Sequence, residues 1–133
     1  MSNALYDAGR NAFLTGAINW TSDTIKVVGC TSSYSPNLST DTHLSDIPSG
    51  DRVATATLSS ATASAGIADA SDVTFSSVTG SAIAKLVVYK DTGTESTSTL
   101  IALIDTATGL PVTPNGGDIN VVWDNGTNKI FKL

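Results

Sequence analysis

The sequence predicts a mainly β fold: an antiparallel β-sandwich or barrel of about seven to eight short strands, with a short N-terminal α-helix. Three observations predict it. Runs rich in β-branched residues recur at short intervals, Gly, Pro, Asn and Asp fall between them, and after Gly16 the apolar period drops from helical to two. A chain of 133 residues is long enough for one core and short for two. Residues 17–133 are therefore read as a single β-sandwich domain with a long loop at 31–51. Residues 1–16 are read as an amphipathic helix docked on that domain or on a neighbour.

The helix is expected over residues 3–14, with Asn3 as N-cap, Asp7 near the positive end, Arg10 nearer the C-terminal end and Gly16 as the stop. Leu5, Tyr6, Gly9, Phe13 and Leu14 form its apolar stripe. Residues 24–30 read as a strand, with 17–20 as its lead-in or hairpin partner. Residues 31–51 form a surface excursion in which 42–46 closes one helical turn, Pro48-Ser49-Gly50 turns the chain, and Leu38, Leu44 and Ile47 pin the loop down. Residues 52–59 alternate so that Ala54, Ala56 and Leu58 face inward, and 60–65 is a weak strand or mobile loop. Residues 72–78 and 82–90 are spaced as a hairpin around Thr79-Gly80-Ser81, and Ile83 to Tyr89 is apolar enough to be central. Residues 99–105 form another buried strand. After a linker at 106–117, residues 118–123 and 129–133 read as a terminal hairpin. The last strand either pairs inside the sheet or is covered by another chain.

Composition excludes several function classes. Seven basic against twelve acidic residues give a charge of −5, which opposes binding to a phosphate backbone, so no nucleic-acid partner is expected. No run approaches the apolar length of a membrane span and the N-terminus lacks a signal-peptide pattern, so no membrane partner is expected. Charged residues make up only 14% of the chain, against roughly a quarter in an average domain, and Ser and Thr take their place. Cys30 is the single cysteine and His43 the single histidine, which rules out an intrachain disulfide and any multi-Cys or multi-His metal cage.

The residue types that carry chemistry have structural readings here. His43 lies in the long loop, and the chain has no G-x-S-x-G elbow to give it a serine partner. The eleven Asp residues sit largely at turns, among them Asp46, Asp69, Asp91, Asp105 and Asp124, and Glu95 is the one glutamate. Asp124-Asn125-Gly126-Thr127-Asn128 resembles part of a calcium loop but lacks its D-x-D-x-D-G order and distal Glu, and reads as a turn. Gly116-Gly117 does not join a strand to a helix as a phosphate cradle requires. Core packing is expected of the aromatic residues Trp20, Trp123, Tyr6, Tyr89, Phe13, Phe75 and Phe131. Tyr34 stands apart, and with Trp20 it is the candidate for a sugar-stacking platform flanked by Asp or Asn. Cys30, ending an apolar strand with no cation beside it in sequence, reads as a small buried hydrophobe. No catalytic, cofactor-binding or metal-binding residue is assigned, and no cofactor is expected.

The stretches at 3–14, Ile18-Asn19-Trp20, 23–27, 44–48, Val87-Val88-Tyr89-Lys90-Asp91-Thr92-Gly93, 106–118, Asn125-Gly126 and 128–133 together resemble small structural proteins of tailed bacteriophages and prophages. The resemblance spans nearly the whole chain, and residues 30–35 and 55–71 depart from it in being richer in Ser and Ala. It implies a virion structural protein, made in the host cytoplasm and localised in the particle as a homo-oligomer. The favoured role is capsid decoration or cement on the major capsid protein shell, with a neck, tail or baseplate component as the alternative. A carbohydrate-binding host-attachment module is a further alternative, and an enzyme is not expected. Such a protein needs a rigid scaffold, many copies and loops that grip neighbours, and no reactive centre.

Overall fold

The structure, a computed structural model, describes residues 4–107, 109–123, 126 and 129–133. In chain order its elements are β1 (Ala4–Leu5), α1 (Asp7–Leu14), β2 (Ile25–Cys30), β3 (Arg52–Thr57), β4 (Thr62–Ser64), β5 (Ile67–Asp69), β6 (Val73–Phe75), β7 (Lys85–Lys90), β8 (Leu100–Ile104), β9 (Ile119–Val121) and β10 (Phe131–Lys132). Among the described residues the fold is thus mainly β and sandwich-like, with ten strands in three antiparallel sheets and one α-helix, slightly more strands than predicted.

The five-stranded sheet runs β1-β8-β7-β2-β3, so β7 is central as its apolar run implies. Strands β2 and β7 pair from Ile25 opposite Lys90 to Cys30 opposite Lys85. Val27, Val28, Val87 and Val88 are all fully buried, because both faces of this sheet are covered. The first face bears Ile25, Val27, Leu86 and Val88, which pack with Trp20, Phe75, Ile83, Trp123 and Phe131 in one apolar cluster. The second face bears Val28, Cys30, Val87, Tyr89, Leu100 and Leu103, which cluster with Tyr6, Tyr34, Leu44 and Ile47.

Two small sheets, β10-β5-β4 and β6-β9, serve the first face. The second is covered by irregular chain: the 31–51 segment, with 3-10 turns at Leu44–Asp46 and Ser49–Asp51. Leu44 and Ile47 are buried and Leu38 partly so, as expected of the residues that pin it down. Both ends of this segment meet, Thr31 N donating to the Asp51 carbonyl at 2.9 Å and Thr31 Oγ1 to Asp51 Oδ1 at 3.2 Å. It is an Ω-shaped strap closed at its neck.

Several expected pairings are corrected. The helix begins at Asp7, not residue 3: Ala4–Leu5 is an edge strand on β8, Tyr6 is the extended N-cap without a side-chain cap bond, and Asn3 lies outside the described residues. Tyr6 N donating to the Ile101 carbonyl at 2.9 Å holds that stretch extended. The helix then rests on β8 so closely that a Cβ on Gly9 would lie 2.7 Å from the Leu100 carbonyl oxygen, a contact that glycine alone permits. The 72–78/82–90 hairpin does not form. Strand β6 pairs with β9, since Val78 exchanges backbone bonds with Gly116 and Gly117, while Ile83 bridges to Val112.

The terminal hairpin is likewise absent, β9 pairing with β6 and β10 with β5. Trp123 is tied to the 71–72 segment, its indole N–H donating to the Ser71 carbonyl and its backbone N–H to Asp72 Oδ1, while Phe131 packs edge-on against Trp20. Residues 60–65, which read as a weak strand or mobile loop, contribute the short strand β4 to a hairpin with β5. Its turn places Ala65 and Gly66 at φ 53° and 78°, the left-handed pair of a tight hairpin.

Candidate functional site

Apolar depressions among the described residues include the following two. The larger of the two, about 810 Å³, opens between the end of β8, residues 106–107 and 109–112, and β9, where Ile83, Leu86, Leu110, Val112 and Trp123 line it. The smaller, about 320 Å³, lies where the C-terminal end of α1 meets the β10-β5-β4 sheet. Phe13, Ile18, Trp20, Ile67, Phe131 and Leu133 line it. Its geometry follows from a three-ring cluster: Trp20 meets Phe131 edge-on at 5.2 Å and Phe13 meets Phe131 at a tilt at 5.9 Å. The Trp20 indole N–H is satisfied by the Asp69 carbonyl at 3.1 Å, which lets the ring be buried. Leu133, at the rim, is 58% exposed, and Leu14, next to Phe13 in α1, is 86% exposed. These are large apolar side chains left in water on elements that border one groove.

The residues that could carry chemistry are committed elsewhere. His43 is half-buried, with Nδ1 at 2.9 Å from Thr42 Oγ1. Asp46 Oδ2 accepts from Thr42 Oγ1 at 3.2 Å and from the Thr42 and His43 backbone N–H groups. Those backbone donors hold the Asp46 carboxyl below the usual range. A hydroxyl, an imidazole and a carboxylate thus come together, but the carboxylate bonds the hydroxyl and the backbone rather than orienting the ring, as an acyl-transfer triad requires. Asp91 pairs with Lys26 at 3.2 Å, Asp23 with Lys90 at 3.3 Å and Glu95 with Arg52 at 3.0 Å. Among the described residues no group of three His, Cys, Asp or Glu could hold a metal ion. Of the calcium-loop resemblance only Gly126 lies within the described residues, and Asp124 lies outside them. Gly116 and Gly117 form a turn, Gly117 N donating to Asn115 Oδ1 at 2.9 Å. No described helix is long and apolar enough to cross a membrane.

The aromatic platform is corrected: Trp20 and Tyr34 are both buried, so neither presents a face on which a sugar could stack. Tyr34 closes a relay that sequence reasoning missed. Its hydroxyl donates to Asp41 Oδ2 at 2.9 Å, which leaves its oxygen to accept from the Tyr6 hydroxyl at 2.8 Å. Burial pushes both phenols upward, Tyr34 the more strongly. No local signal could have found it, since Tyr6 and Tyr34 are 28 residues apart. Arg52 was also missed as a tether: its guanidinium donates to the Leu44 and Ile47 carbonyls. Cys30 is fully buried, as its sequence context predicts, and desolvation pushes its thiol up to about 12. No protein-family model matches the chain, and no curated protein matches it either.

Proposed function

We propose that this protein is a structural component of a bacteriophage virion, acting as a capsid decoration or cement protein on the shell of major capsid protein. The sequence resemblance to small phage structural proteins suggests it. The observation that carries it is the division of labour among side chains: reactive groups are bound into the scaffold, while Leu14 and Leu133 remain exposed beside an apolar groove. That arrangement suits adhesion by shape and apolar contact. Many copies, each adding on the order of 800 Å² per partner, would reinforce a shell through ordinary affinities.

Cryo-electron microscopy of purified particles from the phage or prophage that encodes the chain is the direct test. The expected result is density for this domain over the joints between major capsid subunits. Density confined to neck, tail or baseplate would move the protein to that role, and particles that never carry it would end the virion reading. Leu14→Asp combined with Leu133→Asp is expected to abolish incorporation while leaving the domain folded, since both side chains already face water.

A further inference from the structure

The strap over residues 31–51 covers the second apolar face together with Tyr6 of the N-terminal segment, and it is joined to the molecule in an unusual way. Its neck is clipped by the Thr31–Asp51 bonds, so its ends stay together whatever its body does. Its body is held by four apolar side chains, Tyr34, Leu38, Leu44 and Ile47, and by tethers to three other parts of the fold. Tyr34 and Leu38 reach the N-terminal segment, through the Tyr6 hydroxyl and through the Asp7 N–H donating to the Leu38 carbonyl at 2.9 Å. Leu44 N donates to the Ser98 carbonyl and Leu100 N to the Thr42 carbonyl. Arg52 grips the Leu44 and Ile47 carbonyls from β3. The first-face cluster contains none of these side chains.

We infer that the strap is a hinged lid that opens as a unit about its Thr31–Asp51 neck, baring the second face of the sheet while the first-face core and the five-stranded ladder stay intact. Opening breaks the tethers of one loop and leaves the β2-β7-β8 pairing untouched, so it costs less than global unfolding. The Tyr6–Tyr34 hydroxyl bond is the central side-chain tether of the strap to the N-terminal segment, and the Asp41 carboxylate, which accepts from the Tyr34 hydroxyl and from Asn37 N at 3.0 Å within the strap, positions Tyr34 for it. Cys30 reports the motion: it is fully buried in the cluster the strap closes, and a thiol reagent reaches it when that cluster opens.

The test compares Cys30 labelling by a small aromatic disulfide with hydrogen exchange at the Val87 and Val88 amides of β7, on the full chain under native conditions. Labelling is expected to proceed at least about tenfold faster than opening of those amides and to depend weakly on added denaturant. Tyr6→Phe, which removes the hydroxyl bond between the N-terminal segment and the strap, is expected to speed labelling about tenfold more while β7 exchange is unchanged. If that variant does not fold, Tyr34→Phe removes the same tether. Labelling that tracks β7 exchange with the same denaturant dependence overturns the lid. So does a tether variant that changes both rates equally or changes neither.

Discussion

The two faces of the central sheet are both sealed, but by different means. The first face is covered by small sheets whose backbones satisfy one another, and its buried side chains are aliphatic or the aromatic Trp20, Phe75, Trp123 and Phe131. The second is covered by a strap whose backbone polar groups are satisfied piecemeal by side chains and by neighbouring segments. Its buried set includes Tyr6, Tyr34, Tyr89 and Cys30. A regular cover can be wholly apolar, because its hydrogen bonds lie within the sheet. The irregular cover depends on Arg52, Asp41 and Asp46 to satisfy its own carbonyls and amides, and the face beneath it holds weak acids that the first-face cluster lacks.

Breaking the first face has the largest expected effect. Phe75→Ala, deep in the first cluster, should lower global stability by about 3–5 kcal/mol, read as a fall in the denaturation midpoint with cooperativity retained. Ile47→Ala, equally buried on the inner side of the strap, removes about 2–5 kcal/mol from strap closure. Its global midpoint should fall less than that of Phe75→Ala, while Cys30 reactivity rises more. Equal falls in both midpoints would erase the distinction between the faces.

Alkaline pH separates them without mutation. Burial raises Tyr89 and Cys30 to about 12 and raises Tyr6 and Tyr34 further. Their folded-state values lie above the unfolded ones, so the stability they lend is complete below about pH 9 and is lost as pH rises beyond it. The second face should therefore loosen first, tyrosinate absorbance rising before the emission of Trp20 and Trp123 shifts. Coincident changes would break the comparison. The smallest effect is expected from Glu95→Gln. Glu95 is exposed, so its pair with Arg52 is screened, and Arg52 keeps its carbonyl partners in the strap; the melting temperature should not move measurably.

What the sequence made legible follows the same division. Strands β2, β7 and β8 are doubly buried, and their continuous apolar runs mark them without knowledge of their partners. The strap too was legible, as a loop pinned by Leu38, Leu44 and Ile47. The pairings of β6, β9 and β10 were not, because short strands next to turn residues look like hairpins with their sequence neighbours. In the true pairings Phe75 lies opposite Ile119, 44 residues away, and Phe131 opposite Ala68, 63 residues away. The 62–69 hairpin escaped because Thr62-Ala63-Ser64 has no alternation to read and all three residues are exposed. At the candidate surface, helical spacing predicts Leu14 in the apolar stripe of the helix. The structure turns it outward, because Gly9 and Ala12 supply the close contact with the sheet and its flank.

The meeting of Thr31 and Asp51 has a consequence for how this chain can be rewritten. Because the two residues are bonded to each other, the length and composition of what runs between them are decoupled from the spacing of β2 and β3. Residues 32–50 amount to a replaceable cassette: a foreign segment could be spliced there without shifting either strand, provided that it carries apolar plugs for the face beneath and an acceptor for the orphaned Tyr6 hydroxyl.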